Sequence, residues 1–514
     1  MLTGKSTKEL YNEYTDVTQK AADLGYASAV LGWDQEVYMP PKGFPYRGRQ
    51  LATLASLAHD MVTGDNYGNL LQELSNRGDM NDEQAANIRL SLEDYQKSRR
   101  LPTSFISRVT EQTSVSYDAW IKARKENNFQ LYAPELAKMI ALKIEQAHLY
   151  GYEQHPYDAL MDDYEKGATV AMLDPVFSDV KKQLPPLLDR IKYAPQVDDT
   201  FLQRYYNKDR QWEFSIEVLK KIGYDFEAGR QDLSEHPFTT SFAPEDVRVT
   251  TRVDEHDFAS LLWSSIHEGG HALYEQGLPA SQYGLPLGAA ASLAVHESQS
   301  RLWENCVGRG IHFWKYFYPQ LQKAFTVQLN DVPLEQFYKG INKVQPSLIR
   351  TEADELTYHF HVLVRYEIEK ALISKELDTA GLQEAWNAAY TKYLGVTPHD
   401  DKQGVLQDVH WAHGSFGYFP TYSLGSFYAA QFYAQAKKDI ADMEPLHEQG
   451  EFGKLLHWLR AKVHVHGRRY RSAELCKLVT GEGLDFNAFM QYAQEKYTDV
   501  YDINMPHEGG GKNT

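Results

Sequence analysis

Cysteine is scarce in this sequence, with two residues in 514, Cys306 and Cys476, and no Cys-x-x-Cys pair. This count implies no disulfide framework and fits a reducing compartment. Long hydrophobic runs are missing too: no stretch of about 18 apolar residues could span a membrane, and the N-terminus lacks the apolar core of a signal peptide. We therefore expect a cytoplasmic protein that needs no membrane partner.

Basic charge is also in short supply, because 70 acidic residues outnumber 53 lysines and arginines, for a formal net charge of −17. A nucleic-acid partner requires a basic face, so this balance argues against one. The chain also lacks internal repeats and low-complexity linkers. With 42% hydrophobic residues it can bury a large core, and no domain boundary can be placed from the sequence.

Strand-like alternation is rare, whereas helical periodicity recurs along most of the chain. Residues 237–242 and 246–253 alternate with period two, so that Val247 and Val249 share one face and Arg248 takes the other. We predict a small sheet there, whose edge strand could pair with an extended peptide. Helical apolar spacing predicts helices over 8–31, 48–64, 83–99, 103–126, 130–150, 173–193, 198–206 and 209–222.

The most informative stretch is His267-Glu268-Gly269-Gly270-His271. Residues four apart lie on one face of an α-helix, so these two imidazoles could hold one metal ion. Glu268 lies about 100° around the helix, where its carboxylate could reach a metal-bound water. Zinc is the expected ion, because it accepts neutral imidazole and leaves one position open for water.

The residues around this motif support a helix. Asp254 or Asp257 is expected to cap its start, and Gly277 and Pro279 follow where it should end. The Gly269-Gly270 pair costs about 1–2 kcal/mol relative to alanine in a helix interior. We interpret that cost as a sign that something must approach the helix backbone closely.

A catalytic zinc needs a third protein ligand, and three residues compete for the role. Glu275 stands eight residues after His267, about 12 Å along the helix axis, which is too far to share one ion. Glu297 is the better candidate, because it lies on a second predicted helix, 289–306. A carboxylate on a second helix that faces the first is the gluzincin arrangement. His296 is the rival; if Glu297 faces the metal, His296 is either packed or supports the ligands from behind.

An arginine further along the chain has two possible roles. Ser347 is expected to cap a long helix that runs to about Ser374. Arg350 and Asp354 would then lie four residues apart in its first turns. Arg350 either forms a structural salt bridge with Asp354 or makes a bidentate clamp on a substrate carboxylate, and spacing alone does not decide.

The stretch 404–425 is rich in glycine, aromatic residues and histidine, which is typical of a long functional loop. Three other histidines are interpreted as structural: His413, His464 and His466. The tail repeats His507-Glu508-Gly509-Gly510, but position 511 is glycine, so we expect no second ligand pair there.

Five motifs resemble the signature set of the M32 metallocarboxypeptidases, the carboxypeptidase Taq family. They are Asp246-Val247-Arg248-Val249-Thr250, His267-Glu268-Gly269-Gly270-His271, His296-Glu297-Ser298-Gln299, Ile349-Arg350-Thr351-Glu352-Ala353-Asp354 and Gly404-Val405-Leu406-Gln407-Asp408-Val409-His410-Trp411. The corner from Trp33-Asp34 to Met39-Pro40 also looks like that family, so the resemblance covers nearly the whole chain.

The resemblance implies one M32-like catalytic domain over residues 1–514. Its fold would be mainly α, a gluzincin-type structure with two lobes around a deep central groove and a small β-sheet beside the zinc helix. The resemblance also implies a homodimer, an activity that depends on zinc and that cobalt often supports, and release of single C-terminal residues from peptides.

We expect one Zn²⁺ per chain, held by His267, His271 and Glu297. The zinc would lower the pKa of its water, and Glu268 would act as general base and then return the proton to the leaving amine. A zinc oligopeptidase or endopeptidase is the alternative, since it would share this metal site and lack a clamp for the substrate carboxylate.

Substrate binding and charge stabilisation are expected from residues outside the zinc helix. His410 and Tyr422 are the expected donors to the oxyanion, and Asp408 could orient the ring of His410. Arg350 would bind the free C-terminal carboxylate of the peptide, and His410 and Arg248 are the next candidates for that contact.

Overall fold

The computed structural model describes residues 4–503, which form 21 α-helices and three β-strands. The helices are α1 (Thr7–Val37), α2 (Phe44–Thr63), α3 (Asp65–Ser75), α4 (Asp82–Ser98), α5 (Thr103–Glu126), α6 (Ala133–Tyr150), α7 (Pro156–Met161), α8 (Val170–Tyr193), α9 (Lys208–Ile222), α10 (Phe258–Glu275), α11 (Leu293–Arg301), α12 (Ile311–Ala324), α13 (Thr326–Leu329), α14 (Leu334–Ile341), α15 (Tyr358–Ile373), α16 (Leu382–Leu394), α17 (Pro420–Asp439), α18 (Met443–Glu448), α19 (Gly453–Lys462), α20 (Ser472–Thr480) and α21 (Phe486–Tyr501). None of these described helices is long and apolar enough to cross a membrane. The tail motif at 507–510 lies outside the described residues.

The mainly helical fold expected from the sequence is confirmed, and most of the predicted helices coincide with observed ones. The prediction lacks α3, α7, α13, α14 and α16 to α21, and the loop expected over 404–425 ends at Phe419, because α17 begins at Pro420. The helix predicted over 198–206 is wrong, because that stretch holds only a short 3-10 turn, Thr200–Gln203. Helix α3 is absent from the prediction, since Gly68 within it lowers its helical propensity. A Cβ at Gly68 would overlap the ring of Tyr95, so close packing there requires glycine.

The three strands form one sheet in the order β1-β3-β2, with β1 (Gly229–Leu233), β2 (Thr239–Ala243) and β3 (Asp246–Thr251). The central strand β3 pairs with β1 in parallel and with β2 in antiparallel orientation. The two predicted strands are confirmed. Strand β1 escapes prediction because its buried residues are the polar Gln231 and Asp232, which break the alternating apolar pattern.

The helix predicted over 347–374 begins later than expected. Arg350–Glu352 is a 3-10 turn, and α15 starts only at Tyr358. The Asp354 carboxylate accepts hydrogen bonds from the backbone N–H groups of Leu356 and Thr357, both at 3.0 Å, and so closes a turn before the helix. Arg350 and Asp354 therefore do not lie on one helix, and the salt bridge between them, one of the two roles considered for Arg350, is wrong.

The second helix of the motif region also departs from a regular helix. Ser292 caps α11 by accepting from the Val295 N–H at 3.0 Å, and the helix ends at Arg301. The chain continues as a π-helical turn over Leu302–Val307. A π turn rotates the side chains that follow it relative to a regular helix, and such turns are frequent at functional sites.

The buried side chains form two separate clusters. The larger one extends from Ala123 to Tyr501 and surrounds α10, α11, α15 and α17. The smaller one belongs to the N-terminal helices α1, α3 and α4, together with Leu285 from the connection after α10. We call residues 7–98 the N-terminal unit. Helix α2 contributes no fully buried side chain along its described length; it packs mainly on α1, and its Val62 lies partly buried against the smaller cluster.

Candidate metal centre and substrate-binding site

Helix α10 carries the His-Glu-x-x-His motif, with boundaries close to those predicted. The Asp257 side chain caps its start by accepting from the Ala259 N–H at 3.1 Å, and the helix ends at Glu275, just before Gly277. His267 and His271 lie on one face, with their rings 4.9 Å apart. The motif therefore presents both imidazoles to the same neighbour, which is helix α11.

Two glycines bring three helices into close contact around Glu297. A Cβ at Gly270 of α10 would lie 2.6 Å from the Ser300 Cα of α11. A Cβ at Gly425 of α17 would lie 2.6 Å from the Cβ of Glu297. Both positions need glycine, so the expected close approach to α10 is confirmed, and Glu297 is enclosed between two helix backbones.

Three ligand atoms converge between α10 and α11. The Nε2 atoms of His267 and His271 lie 3.7 and 3.4 Å from the same oxygen, Oε2 of Glu297. All three atoms lie within 4.8 Å of one another. Two ligands at 2.0–2.1 Å from a tetrahedral zinc would be about 3.3 Å apart, so these distances fit a metal ion at the centre of the group.

The second ring nitrogen of His267 has a partner that orients it. His267 Nδ1 lies 2.8 Å from Oε2 of Glu304, a carboxylate in the π turn. Glu304 also accepts from Nη1 of Arg301 at 3.0 Å, and Arg301 donates through Nε to Glu297 at 2.7 Å. Since a carboxylate only accepts, the proton of His267 sits on Nδ1, and Nε2 keeps its lone pair for a metal.

His271 is oriented by a second chain of hydrogen bonds. Glu275 Oε1 lies 2.8 Å from Nε2 of His296, whose Nδ1 lies 2.5 Å from Nδ1 of His271. Because Glu275 accepts from Nε2–H of His296, the Nδ1 of His296 accepts in turn from Nδ1–H of His271. The Nε2 of His271 is again left free as a ligand. His296 and Glu275, the two rival ligand candidates, thus lie behind the site.

The electrostatics of this cluster favour a cation at its centre. Burial opposes protonation of His267, but the carboxylates of Glu297 and Glu304 outweigh it and raise the pKa of His267 to about 8. Burial would raise the pKa of Glu304, yet Arg301 and His267 hold it down at about 2. The pKa of Glu297 is likewise held well below its usual range by Arg301 and the two histidines, against the effect of burial. Positive charge between these groups is therefore stabilised.

Glu268 lies beside the three ligand atoms and is held by the sheet. The hydroxyl of Thr239, at the start of β2, lies 2.6 Å from Oε2 of Glu268 and 3.0 Å from the Glu268 carbonyl oxygen. The Glu268 side chain is buried at 7% exposure. The predicted edge strand therefore positions the glutamate of the motif.

Arg350 lies in a buried cluster of charges formed by distant parts of the chain. Its Nε and Nη2 donate to Oδ1 of Asp408 at 3.0 and 2.9 Å, and its Nη1 donates to the Tyr358 hydroxyl at 3.0 Å. Arg365 of α15 donates through Nε to Oδ2 of Asp408 at 2.6 Å. Burial opposes ionisation of Asp408, but the two guanidinium groups hold its pKa well below the usual range.

This cluster adjoins the metal centre through two tyrosines. The Arg350 guanidinium lies 5.0 Å from the ring centre of Tyr422. Tyr422 stands three residues before Gly425 on α17, so it shares the helix face that meets Glu297. The Tyr358 ring has Arg350 hydrogen-bonded at its hydroxyl and Arg301 4.7 Å from its centre.

His410 and Tyr422, the expected oxyanion donors, lie next to each other, with His410 Nε2 3.4 Å from the Tyr422 hydroxyl. Burial lowers the pKa of His410 to about 4, so its ring is neutral at neutral pH. Asp408 Oδ1 lies 4.0 Å from His410 Nδ1, beyond hydrogen-bond distance, because Asp408 is engaged by the two arginines. Asp408 therefore holds Arg350 and does not hold the ring of His410 by a hydrogen bond.

Arg248 makes its contacts within the sheet and with the N-terminal unit. Its guanidinium pairs with Asp246 at 2.9 Å and lies 4.5 Å from the ring centre of Trp33 and 4.9 Å from that of Phe242. The structure thus brings together seven of the eight predicted site residues and places Arg248 against the corner that ends α1. Its predicted role in substrate binding stays a prediction.

Four residues of the site escaped sequence reasoning: Thr239, Arg301, Glu304 and Arg365. The sequence could have predicted two of them, because Arg301 and Glu304 follow Glu297 at positions i+4 and i+7, the spacing of one helix face. It could not have predicted Thr239 and Arg365, since each contacts a residue from a different segment.

The helical fold and a His-Glu-x-x-His helix facing a carboxylate define a metal-dependent peptide hydrolase. The family model of the carboxypeptidase Taq (M32) metallopeptidases matches residues 13–497. Thermostable carboxypeptidase 1 of Thermus thermophilus is 42% identical, over 96% of this chain and 99% of its own. The crystal structure of the M32 carboxypeptidase from Deinococcus radiodurans R1 superposes with a TM-score of 0.95 at 39% identity, covering 96% of this chain and all of that one.

A further solved structure, described as that of CHT, has a TM-score of 0.94 and 55% identity over 95% of this chain and 99% of that chain. The chain belongs to the M32 metallocarboxypeptidase family. It is therefore a carboxypeptidase, and its family implies a metal ion.

Proposed function

We propose that the protein is a zinc carboxypeptidase that removes C-terminal residues from peptides with a free carboxylate. The observation that carries this proposal is the convergence of two imidazole Nε2 atoms and one carboxylate oxygen, with both Nδ1 atoms engaged elsewhere. Two neutral imidazoles and a carboxylate are a donor set that zinc accepts in catalytic sites, with a fourth position open.

In this proposal His267, His271 and Glu297 hold the zinc, one ion per chain. When bound, the zinc supplies Lewis acidity that makes water a nucleophile near neutral pH and polarises the scissile carbonyl. Cobalt, which prefers similar ligands, is expected to substitute for zinc. Glu304 and His296 keep the two rings oriented and in the required tautomer.

Glu268 is the general base in this mechanism. Its carboxylate stands one residue from a ligand and is buried, and the Thr239 hydroxyl orients one of its oxygens. It takes a proton from the attacking water and returns it to the departing amine, a role typically worth about 10²–10⁴-fold in rate.

His410 and Tyr422 are the proposed donors to the oxyanion. A neutral imidazole N–H and a phenol O–H both donate without carrying charge into the site. His410 Nδ1 is buried and has no hydrogen-bond partner among the described residues, and Nε2 of the same ring lies 3.4 Å from the Tyr422 hydroxyl. Donors already in place stabilise developing charge without reorganisation.

Arg350 is the proposed clamp for the substrate carboxylate. Its contacts with Asp408 and Tyr358 use three of its five N–H groups among the described residues, and leave one on each terminal nitrogen. Two N–H groups on adjacent nitrogens are the fork that binds a carboxylate through two hydrogen bonds. Arg350, Asp408 and Arg365 together also carry one excess positive charge, which an anionic chain end would neutralise.

The decisive experiment compares matched peptides with free and amidated C-termini. Arg350→Ala should lower kcat/KM on free peptides by a factor equivalent to roughly 2–5 kcal/mol, the scale for losing one partner of a buried charge pair. It should retain its zinc and discriminate far less between the two peptides. Arg350→Lys is the matched control, because it keeps the charge and loses the fork.

Two results would count against the clamp. Equal losses on free and amidated peptides, with a lowered melting temperature, would assign Arg350 to structure alone. Efficient cleavage of amidated peptides by the wild-type enzyme would favour an oligopeptidase or endopeptidase using the same metal centre.

A further inference from the structure

The segment that carries Asp408 and His410 has no regular helix of its own. It runs from Gly404 to Phe419, between α16 and α17, and the two residues central to the proposed mechanism lie in its first half. We call it the 404–419 segment. Its geometry must come from contacts with the helices around it, because its own backbone ladder is limited to short turns.

One buried carboxylate on α15 holds this segment at two points. Glu369 is 0% exposed. Its Oε1 accepts from Nε1 of Trp411 at 2.7 Å, and its Oε2 accepts from the backbone N–H of Gly417 at 2.8 Å. A third donor, the hydroxyl of Tyr157 on α7, approaches Oε2 at 2.6 Å. Trp411 directly follows His410, so the anchor lies one residue from the proposed oxyanion donor.

The position of Gly417 shows how tightly the segment is held. Gly417 has φ +95°, which favours glycine. A Cβ there would lie 2.8 Å from the carbonyl carbon of Leu160 and 2.8 Å from the N of Met161, both on α7. The backbone of Gly417 therefore lies in close contact with α7, and its N–H donates to Glu369.

A second charge on the same face of α15 holds the other end of the segment. Arg365 lies four residues, about one helical turn, before Glu369 and is also 0% exposed. It donates to Asp408, as described above. One face of α15 thus binds the segment at Asp408, Trp411 and Gly417, on both sides of His410.

We propose that Glu369 is a positioning residue for the carboxypeptidase reaction. Its carboxylate fixes the 404–419 segment so that Asp408 orients Arg350 and His410 faces the scissile bond. Glu369 touches neither the metal ligands nor the proposed substrate site, and acts through Trp411 and Gly417. The inference rests on the proposed roles of Arg350 and His410.

The chemistry of the contacts explains why a carboxylate is needed. The indole N–H of Trp411 and the backbone N–H of Gly417 can only donate and they reach different oxygens of Glu369, so both oxygens must accept. A glutamine would turn its NH₂ toward one of them. Burial raises the pKa of Glu369 to about 7, so the carboxylate is ionised at pH 8, and its ionisation lowers the stability of the fold as the pH rises from about 4.5 to 7.

The test uses Glu369→Gln in the full-length zinc enzyme, with Glu367→Gln as matched control. Glu367 lies on the same helix but accepts from Lys181 and Tyr393, both at 2.9 Å, away from the segment. KM and kcat are measured on free and amidated peptides at pH 8. We expect Glu369→Gln to raise KM for free peptides at least fivefold and to lower kcat at least tenfold, with one zinc retained per chain. The control should match the wild type.

Hydrogen–deuterium exchange gives a readout that does not depend on the roles of Arg350 and His410. Peptides covering 404–419 should exchange at least tenfold faster in Glu369→Gln, while those covering α10 and α11 stay unchanged. Unchanged exchange and unchanged kinetics in a folded variant would overturn the proposal.

A merely structural role also has a distinct signature. Partial unfolding lowers kcat equally on both peptides, leaves KM unchanged and speeds exchange throughout the chain, and that pattern would overturn the proposal too. If the segment loosens in Glu369→Gln but Arg350→Ala keeps its discrimination, the anchoring stands and the clamp falls.

Discussion

At the scale of single residues, the orientation of the proposed metal ligands depends on side chains that are not themselves proposed as ligands. His267 and His271 each have Nδ1 engaged, by Glu304 and His296 respectively, so each ring can present only Nε2 to the centre. A ring free to rotate would lose affinity through entropy and through the wrong tautomer. The site is thus prepared before an ion arrives.

The role of Glu268 is tested by Glu268→Gln. The amide keeps the shape and loses the basicity, so we expect kcat to fall about 10²–10⁴-fold with zinc content and KM little changed. Turnover of the variant and metal content by atomic absorption check this. Chelation of the wild type, followed by return of Zn²⁺ or Co²⁺, is the control that activity follows the metal. A variant within a few-fold of wild-type kcat would exclude Glu268 as the base.

A buried neutral histidine predicts how acid affects stability. His464 is 0% exposed, with Nε2 3.1 Å from Oε1 of Gln299, and burial lowers its pKa to about 3. Since histidine in an unfolded chain has a pKa near 6.5, the unfolded chain binds a proton at a higher pH than the folded protein does. The effect of His464 on the unfolding free energy is therefore absent above about pH 6.5, and the unfolding free energy falls by on the order of 4 kcal/mol as the pH drops toward 3.

The variant His464→Asn should therefore lose less stability on acidification. We expect the drop in unfolding free energy between pH 7.5 and 4.5, followed by urea titration, to be about 2 kcal/mol smaller than in the wild type. His457→Asn is the matched control, because His457 is exposed. An equal acid-induced drop in all three proteins would contradict the assignment.

At the scale of elements, the site depends on how closely three helices approach one another. Gly270 and Gly425 let α10 and α17 meet α11 on either side of Glu297. Helix spacing at such a crossing is set by the smallest side chains in it. The distance between the histidines and Glu297 is therefore decided by two residues that carry no functional group.

Gly270→Ala tests this directly. The added Cβ would lie 2.6 Å from Ser300 Cα, so the helices must separate. We expect a loss of about 1–3 kcal/mol in stability, measured by thermal unfolding, and a weaker zinc affinity in chelator competition. Gly25→Ala on α1 is the control, since nothing lies within 4 Å of its added Cβ, and it should stabilise the protein by about 0.5–1 kcal/mol. Wild-type zinc affinity in Gly270→Ala would show that the spacing does not limit the site.

At the scale of the whole molecule, the N-terminal unit contacts the sheet through polar and aromatic side chains. Arg248 and Arg230 both stack on Trp33, with guanidinium-to-ring distances of 4.5 and 5.4 Å. Tyr38 donates its hydroxyl to Asp232 of β1 at 2.6 Å. The corner from Trp33 to Met39 is thus the part of the unit that docks on the sheet beside the site.

Arg248→Ala and Trp33→Ala should behave alike if this docking is their shared role. We expect both to speed hydrogen exchange in residues 7–98, and the double variant to show less than the sum of the two single effects, because both variants remove the contact between Arg248 and Trp33. Arg252→Ala is the control, as Arg252 is exposed on the same strand region. A raised KM with unchanged exchange in Arg248→Ala would instead support its predicted contact with substrate.

The homodimer expected from the resemblance stays a prediction at this scale. Light scattering on the purified protein would give twice the chain mass of 58.9 kDa if it is correct.

The sequence by itself determined the helical architecture, the metal-binding motif and the helix that supplies Glu297. These features are local: apolar periodicity, the i, i+4 spacing of His267 and His271, and the caps of α10 all lie within one turn or one element. The Gly269-Gly270 pair indicated a close approach to α10, but only the tertiary structure identifies α11 as the neighbour at Gly270.

Only the tertiary structure decided which partners the charged residues take. Arg350 pairs with Asp408, 58 positions away, and not with the neighbouring Asp354, which caps its own turn. Thr239 holds Glu268 from another element, and Glu369 holds a segment 42 positions on. A buried charge must find its counter-charge or hydrogen bonds wherever folding brings them, because desolvation is too costly otherwise. Helical periodicity carries no information about such distant partners.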